Sequence, residues 1–153
     1  MTSDTAVSSA TGGDHRLVFT AELGADATTV WNLIGAFESL PDWHPLVAEC
    51  VLERDTGGAI VRRTGLHDGT IIRNRLIARD EAARSYQYDF VEGPLVVRNY
   101  RATLSVADAG AGRSRVEWIS EFEADAEQAE IMRAKVESLI APGVANLKKI
   151  FGG

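Results

Sequence analysis

Three sets of side chains in this chain could do chemistry. The first lies in Leu40-Pro41-Asp42-Trp43-His44-Pro45, just after Val30-Trp31-Asn32-Leu33-Ile34-Gly35-Ala36-Phe37. An imidazole flanked by aromatics in a loop could donate a hydrogen bond or act as general acid or base. The second set is polar residues in phase with apolar strand faces: Asn74 with Ile72, Leu76 and Ala78; Arg98 with Val96, Tyr100, Ala102, Leu104 and Val106; Ser120 with Val116, Trp118 and Phe122. The third is Tyr86, Tyr88 and Phe90, which share one face. An inward guanidinium or amide can hold a carbonyl or enolate oxygen, a tyrosine or histidine can move a proton, and rings can fold a flexible substrate into a reactive conformer. His44, Asn74, Arg98 and Tyr100 are therefore the candidate catalytic groups. Phe37, Trp43, Tyr86, Tyr88, Trp118 and Ser120 are the candidate substrate-binding wall.

Each of these has a structural alternative. Inward tyrosines are also core residues with hydroxyls satisfied at an edge, Asn74 could bond a neighbouring side chain, and Arg98 could reach solvent from a strand end. No serine-histidine-acid spacing or cluster of metal ligands surrounds His44, so it reads equally as a structural loop histidine, and neither metal nor cofactor is expected. Trp31 at mid-helix reads as core, whereas Trp43 reads as core or pocket rim. His15 and His67 read as solvated, as do Glu38, Asp42, Glu49 and Glu53, although Glu49 could point inward. Gly110-Ala111-Gly112 lacks a strand-glycine-helix context and reads as a hairpin turn.

The elements that must position these groups follow from periodicity and punctuation. Arg16–Leu23 has strand composition; Asp26 is a plausible N-cap for a helix through Ile34, ended by Gly35; and a second short helix through Glu38 and Leu40 breaks near Pro41 and Pro45. Strands are expected at 47–53, 59–64, 70–78, 85–91, 96–106 and 115–123, with Asp68-Gly69 as the strongest hairpin signal. A long helix spans 125–151 with one apolar face, bent at Pro142-Gly143. The sum is an α+β domain in which a curved antiparallel sheet of seven strands wraps the final helix.

Composition narrows the class. The 153 residues suffice for one domain, 16–153, after a flexible tail at 1–15 rich in small and polar residues. A formal net charge of −6 opposes nucleic-acid binding, and Arg62-Arg63 is too short a basic run to change that. One cysteine, Cys50, allows no internal disulfide and suits a reducing, cytoplasmic setting. No run is apolar and long enough for membrane insertion.

With these residues in place, the chain resembles the SRPBCC superfamily, the helix-grip fold of START-like and birch-pollen-allergen-like proteins, in its bacterial polyketide cyclase/dehydrase-like branch. The resemblance covers about Arg16 to Phe151. It is carried by Val30-Trp31-x-x-Ile34-x-x-Phe37 with Trp43-His44-Pro45, by Arg62 seven positions before Gly69, by Gly93-Pro94-Leu95 leading to Asn99-Tyr100, and by Val116-Glu117-Trp118 with Phe122. It implies a cavity for an apolar or aromatic ligand, and no shared catalytic set. Similar sequences often carry Glu where this chain has Asn74, and an amide does not readily exchange a proton. The expected function is a small-molecule cavity protein, as a cofactor-independent cyclase or dehydratase of a polyketide-like or other aromatic biosynthetic intermediate. The alternatives are a carrier for a hydrophobic metabolite or lipid, and an interaction domain with a filled interior. A small hydrophobic or aromatic ligand is the expected partner, with the chain acting as monomer or homodimer.

Overall fold

The computed structural model describes residues 14–153, so most of the expected tail lies outside the described residues. Asp14 and His15, read as tail from sequence, instead begin β1 (Asp14–Leu23). His15 is buried because it pairs with Phe122 across the ladder and its ring stacks on the phenyl at 5.2 Å.

Helix α1 (Ala27–Ile34) starts where the Asp26 carboxylate accepts a 2.8 Å hydrogen bond from the Thr29 amide, a bond that also lowers the Asp26 pKa. It stops at Gly35, where an added Cβ would stand 2.6 Å from the Trp31 ring. Trp31 packs against Tyr86 and donates through Nε1 to Glu81, so it is scaffold, as its mid-helix position implied. The second short helix is a single 3-10 turn, Leu40–Asp42, with Pro41 inside it, and it ends before Pro45.

Strands β2 (Val47–Arg54), β3 (Ile60–Leu66), β4 (Ile71–Asp80), β5 (Ser85–Asp89), β6 (Arg98–Gly110) and β7 (Arg113–Glu123) follow as an antiparallel meander. The order β1-β7-β6-β5-β4-β3-β2 puts β1 beside the last strand, and helix α2 (Ala126–Phe151) packs mainly on β1. At Asp68-Gly69, the glycine sits at φ +94° and Asp68 accepts from the Thr70 amide. Gly110-Ala111-Gly112 is a hairpin turn, all three residues having positive φ. No helix among the described residues is long and apolar enough to cross a membrane.

The inner-face phase holds for β5 and β7, where Tyr86, Tyr88, Trp118, Ser120 and Phe122 are buried. It fails at the start of β6. The β6–β7 register shifts between Arg98 and Arg101, with Asn99 at φ +51°, so alternation does not carry back from Tyr100 to Arg98. Arg98 consequently faces solvent and pairs with Glu123 and Asp125. Val96, read as inward, lies before the strand and is 64% exposed.

Candidate functional site

A cavity of about 70 Å³ lies between α2 and the concave side of the sheet. Its inner end is built by the β3–β4 hairpin. Pairing across Asp68-Gly69 sets Arg62 directly opposite Asn74, and both point inward. Arg62 is 1% exposed. Its Nη1 donates to the Phe37 carbonyl at 2.9 Å and to the Tyr86 hydroxyl at 3.2 Å, while Nε reaches Asn74 Oδ1 at 3.4 Å. The guanidinium also lies over the Phe37 and Tyr88 rings, 4.3 and 4.5 Å from their centroids. Such faces attract a cation without neutralising it.

The hydroxyl groups form a second cluster. Trp118 Nε1 donates to Tyr88 at 3.0 Å, and Ser120 bonds Tyr100 at 2.7 Å. Burial raises the pKa of Tyr100 above its ordinary value and that of Tyr88 well above it, so both are neutral phenols at physiological pH. An indole only donates, so the Tyr88 oxygen accepts there, and its own proton faces the Tyr100 oxygen, an interaction that lowers the Tyr100 pKa against the effect of burial.

His44 lines the cavity from the opposite side. The Leu46 amide donates to Nδ1 at 3.3 Å, which leaves Nε2 protonated and donating to the Leu139 carbonyl of α2 at 2.7 Å. Burial lowers its pKa, the Leu139 bond opposes this, and the Arg62 charge adds to the lowering. The ring approaches so closely that a Cβ on Gly143 would stand 2.6 Å from His44 Cδ2. Trp43 does not reach the cavity or its rim. It is 1% exposed, donates to Ser39 Oγ at 3.0 Å and packs on Trp118.

Of the sequence-derived candidates, the cavity brings together His44, Asn74, Tyr88, Tyr100 and Trp118. Phe37 and Tyr86 stand behind Arg62, Ser120 stands behind Tyr100, and Arg98 is on the surface. Asn74 uses both ends of its amide, its Nδ2 donating to the Asp89 carbonyl at 3.0 Å. Sequence reasoning used Arg62 only as a spacing marker and missed that it is the buried cation. Counting back from Asp68-Gly69 would have found it, because that hairpin sets residue 62 against residue 74. Thr64, two residues on, shares its face and also lines the cavity.

The outer rim consists of half-exposed Leu46, Leu66, Ile72, Leu95 and Leu139, drawn from separate elements. Leu95 belongs to the connection between β5 and β6, which is tied to α2 by a 3.2 Å contact from the Val96 amide to Met132 sulfur and a 3.4 Å bond from Lys135 to the Pro94 carbonyl. A volume of about 70 Å³ takes a ligand's head group. Pockets for drug-sized ligands are roughly 300–1,000 Å³, so a larger body would fit only if this connection and the leucine rim moved outward. No set of three or more His, Cys, Asp or Glu side chains among the described residues could hold a metal ion.

Comparison with known proteins gives a consistent outcome. A family model described as polyketide cyclase / dehydrase and lipid transport matches residues 14–152. A crystal structure from Bacillus thuringiensis is 31% identical, covering 89% of this chain and 98% of that one with a TM-score of 0.79. The ZhuI aromatase/cyclase of Streptomyces sp. R1128 is 17% identical over 90% of this chain and 93% of its own, with a TM-score of 0.74. Norcoclaurine synthase of Thalictrum flavum, in complex with dopamine and hydroxybenzaldehyde, is 18% identical over 90% and 86%, with a TM-score of 0.70. At those lower identities the likeness is one of fold. No curated protein matches the chain in sequence.

Proposed function

Because the chain belongs to the polyketide cyclase / dehydrase and lipid transport family, we propose that it binds a small, largely apolar or aromatic molecule between α2 and the sheet and does not transform it. The observation that carries this reading is the state of His44, the sole imidazole on the cavity wall among the described residues, whose two ring nitrogens are both spent on backbone groups. Cyclisation or dehydration of a polyketide-like intermediate needs a base to remove a proton from carbon. Among the described residues the cavity wall contains no carboxylate, its amide is not a base, and its phenols are held neutral by burial.

A cofactor-independent cyclase or dehydratase of an aromatic biosynthetic intermediate is the second reading. Tyr88 favours it, because its neutral hydroxyl lies on the cavity wall beside Arg62 and could deliver a proton to a ligand oxygen there, where a developing enolate would be stabilised. Native mass spectrometry of freshly purified protein, looking for a co-purifying molecule, tests the pair. On incubation a carried ligand is recovered at unchanged mass. Loss of water from it, with Tyr88→Phe slowing that loss at unchanged affinity, would sink the carrier reading.

A further inference from the structure

We propose that the ligand of this cavity is a monoanion, a carboxylate attached to a small apolar or aromatic body, with the carboxylate seated on Arg62. The inference deepens the binding reading above and rests on it. Its basis is an uncompensated charge. Arginine stays protonated in proteins and is rarely buried without a partner, and leaving a buried ion unpaired is strongly destabilising. The other arginines that form ion pairs here do so at partly or well-exposed positions, whereas buried Arg62 has no carboxylate within ion-pair distance among the described residues. What surrounds it is neutral: a carbonyl, an amide oxygen, a hydroxyl and two ring faces.

The guanidinium's hydrogen bonds are also unevenly used. Nε and Nη1 are engaged, but Nη2 donates to no acceptor among the described residues, and Arg62 lines the cavity. The weakest of its bonds, 3.4 Å to Asn74, is on the Nε side. A carboxylate plane can therefore take Nη2 and displace that contact to make the two-pronged pairing that guanidinium favours. A further donor is at hand: Thr64, whose hydroxyl has only a 3.4 Å contact to the Cys50 sulfur, shares the Arg62 face.

Charge and shape limit the ligand further. Among the described residues Arg62 is the only cation on the cavity wall, so one negative charge neutralises it and a dianion such as a phosphate monoester would leave charge unmatched. The remaining wall is mostly aliphatic and aromatic out to the leucine rim, which suits an apolar body beyond the carboxylate.

The test is a titration, followed by tryptophan fluorescence, with matched acids and amides of the same shape: phenylacetate against phenylacetamide, and butyrate against butyramide. Wild type should bind the acid of at least one pair about tenfold or more tightly than its amide. Asn74→Asp, which places a carboxylate beside Nε, and Arg62→Gln should each abolish that preference. The wild-type comparison stands whether or not either variant folds. Equal binding of acid and amide in every pair overturns the carboxylate assignment and leaves the binding reading intact. Binding of neither member of either pair, with no co-purifying molecule in native mass spectrometry, overturns both. A preference for acid that persists in folded Arg62→Gln also overturns the assignment, by placing the anion elsewhere.

Discussion

His44 shows how one residue type divides between chemistry and architecture on the strength of its hydrogen-bond partners. In sequence it is an imidazole among aromatics and could be either. In the fold it joins the Leu46 amide to the Leu139 carbonyl, and its neutral form is the one that fits. Its pKa is lowered mainly by burial from an ordinary 6.5, so the folded protein resists protonating it more than the unfolded chain does. The stability of the neutral ring is therefore fully present above about pH 6.5 and is lost as pH falls through the lower folded value. Urea midpoints at pH 8 and pH 5 should show His44→Gln less stable than wild type at pH 8, by about 1–2 kcal/mol, with the gap narrowing at pH 5. A gap that does not change with pH would show that the ring titrates alike in the folded and unfolded chain, and would overturn the lowered pKa. Arg62 is the opposite case. Its charge cannot be removed by pH, so its environment must answer for it, and the protein supplies only part of that answer.

Among the elements, the loop from Trp43 to Leu46 is locked to α2 at two places. Asn146 donates to the Trp43 carbonyl at 2.9 Å, and His44 reaches Leu139 about two turns earlier. Gly143 lies between them and makes the approach possible. Gly143→Ala would drive a methyl into the imidazole, and denaturant titration should show a loss of about 1–3 kcal/mol, as for overpacking. A helix-propensity gain of about 1 kcal/mol for Ala over Gly acts in the other direction, so a net stabilisation would mean that the ring can move away. The β6–β7 turn offers the reverse experiment. Ala111 has φ +55° in an exposed hairpin and pays a steric cost there that glycine does not. Ala111→Gly should therefore leave stability unchanged or raise it by up to about 1 kcal/mol in thermal melts. The same class of feature explains the misplacement of Arg98. A strand's phase can be read from sequence only while its ladder is regular, and the shift beside Asn99 interrupts it.

For the molecule as a whole, a cavity inside an otherwise packed core is kept at a cost in stability. Filling it should separate stability from binding. Ile140→Phe adds volume to a buried wall residue facing the 70 Å³ space. It should keep or raise the melting temperature while abolishing binding of the probe acids; a variant that binds as wild type would place the ligand outside this cavity. Much of this architecture was legible in the chain itself. Strand composition, Asp68-Gly69, the Asp26 cap and the apolar face of the final helix are local signals, and they suffice for an α+β sheet gripping a helix, because side-chain period and turn chemistry act over a few residues. The inward set Asn74, Tyr86, Tyr88, Trp118 and Ser120 was legible for the same reason. What only the tertiary structure decided was which polar group carries an unmet demand. Arg62 and Arg98 are the same residue type on neighbouring parts of one sheet. One is buried among neutral partners, and the other is neutralised at the surface by Glu123 and Asp125. That difference depends on register, a bulge and the carboxylates each guanidinium meets across the fold, and charge compensation is a property of three-dimensional neighbours rather than of sequence position.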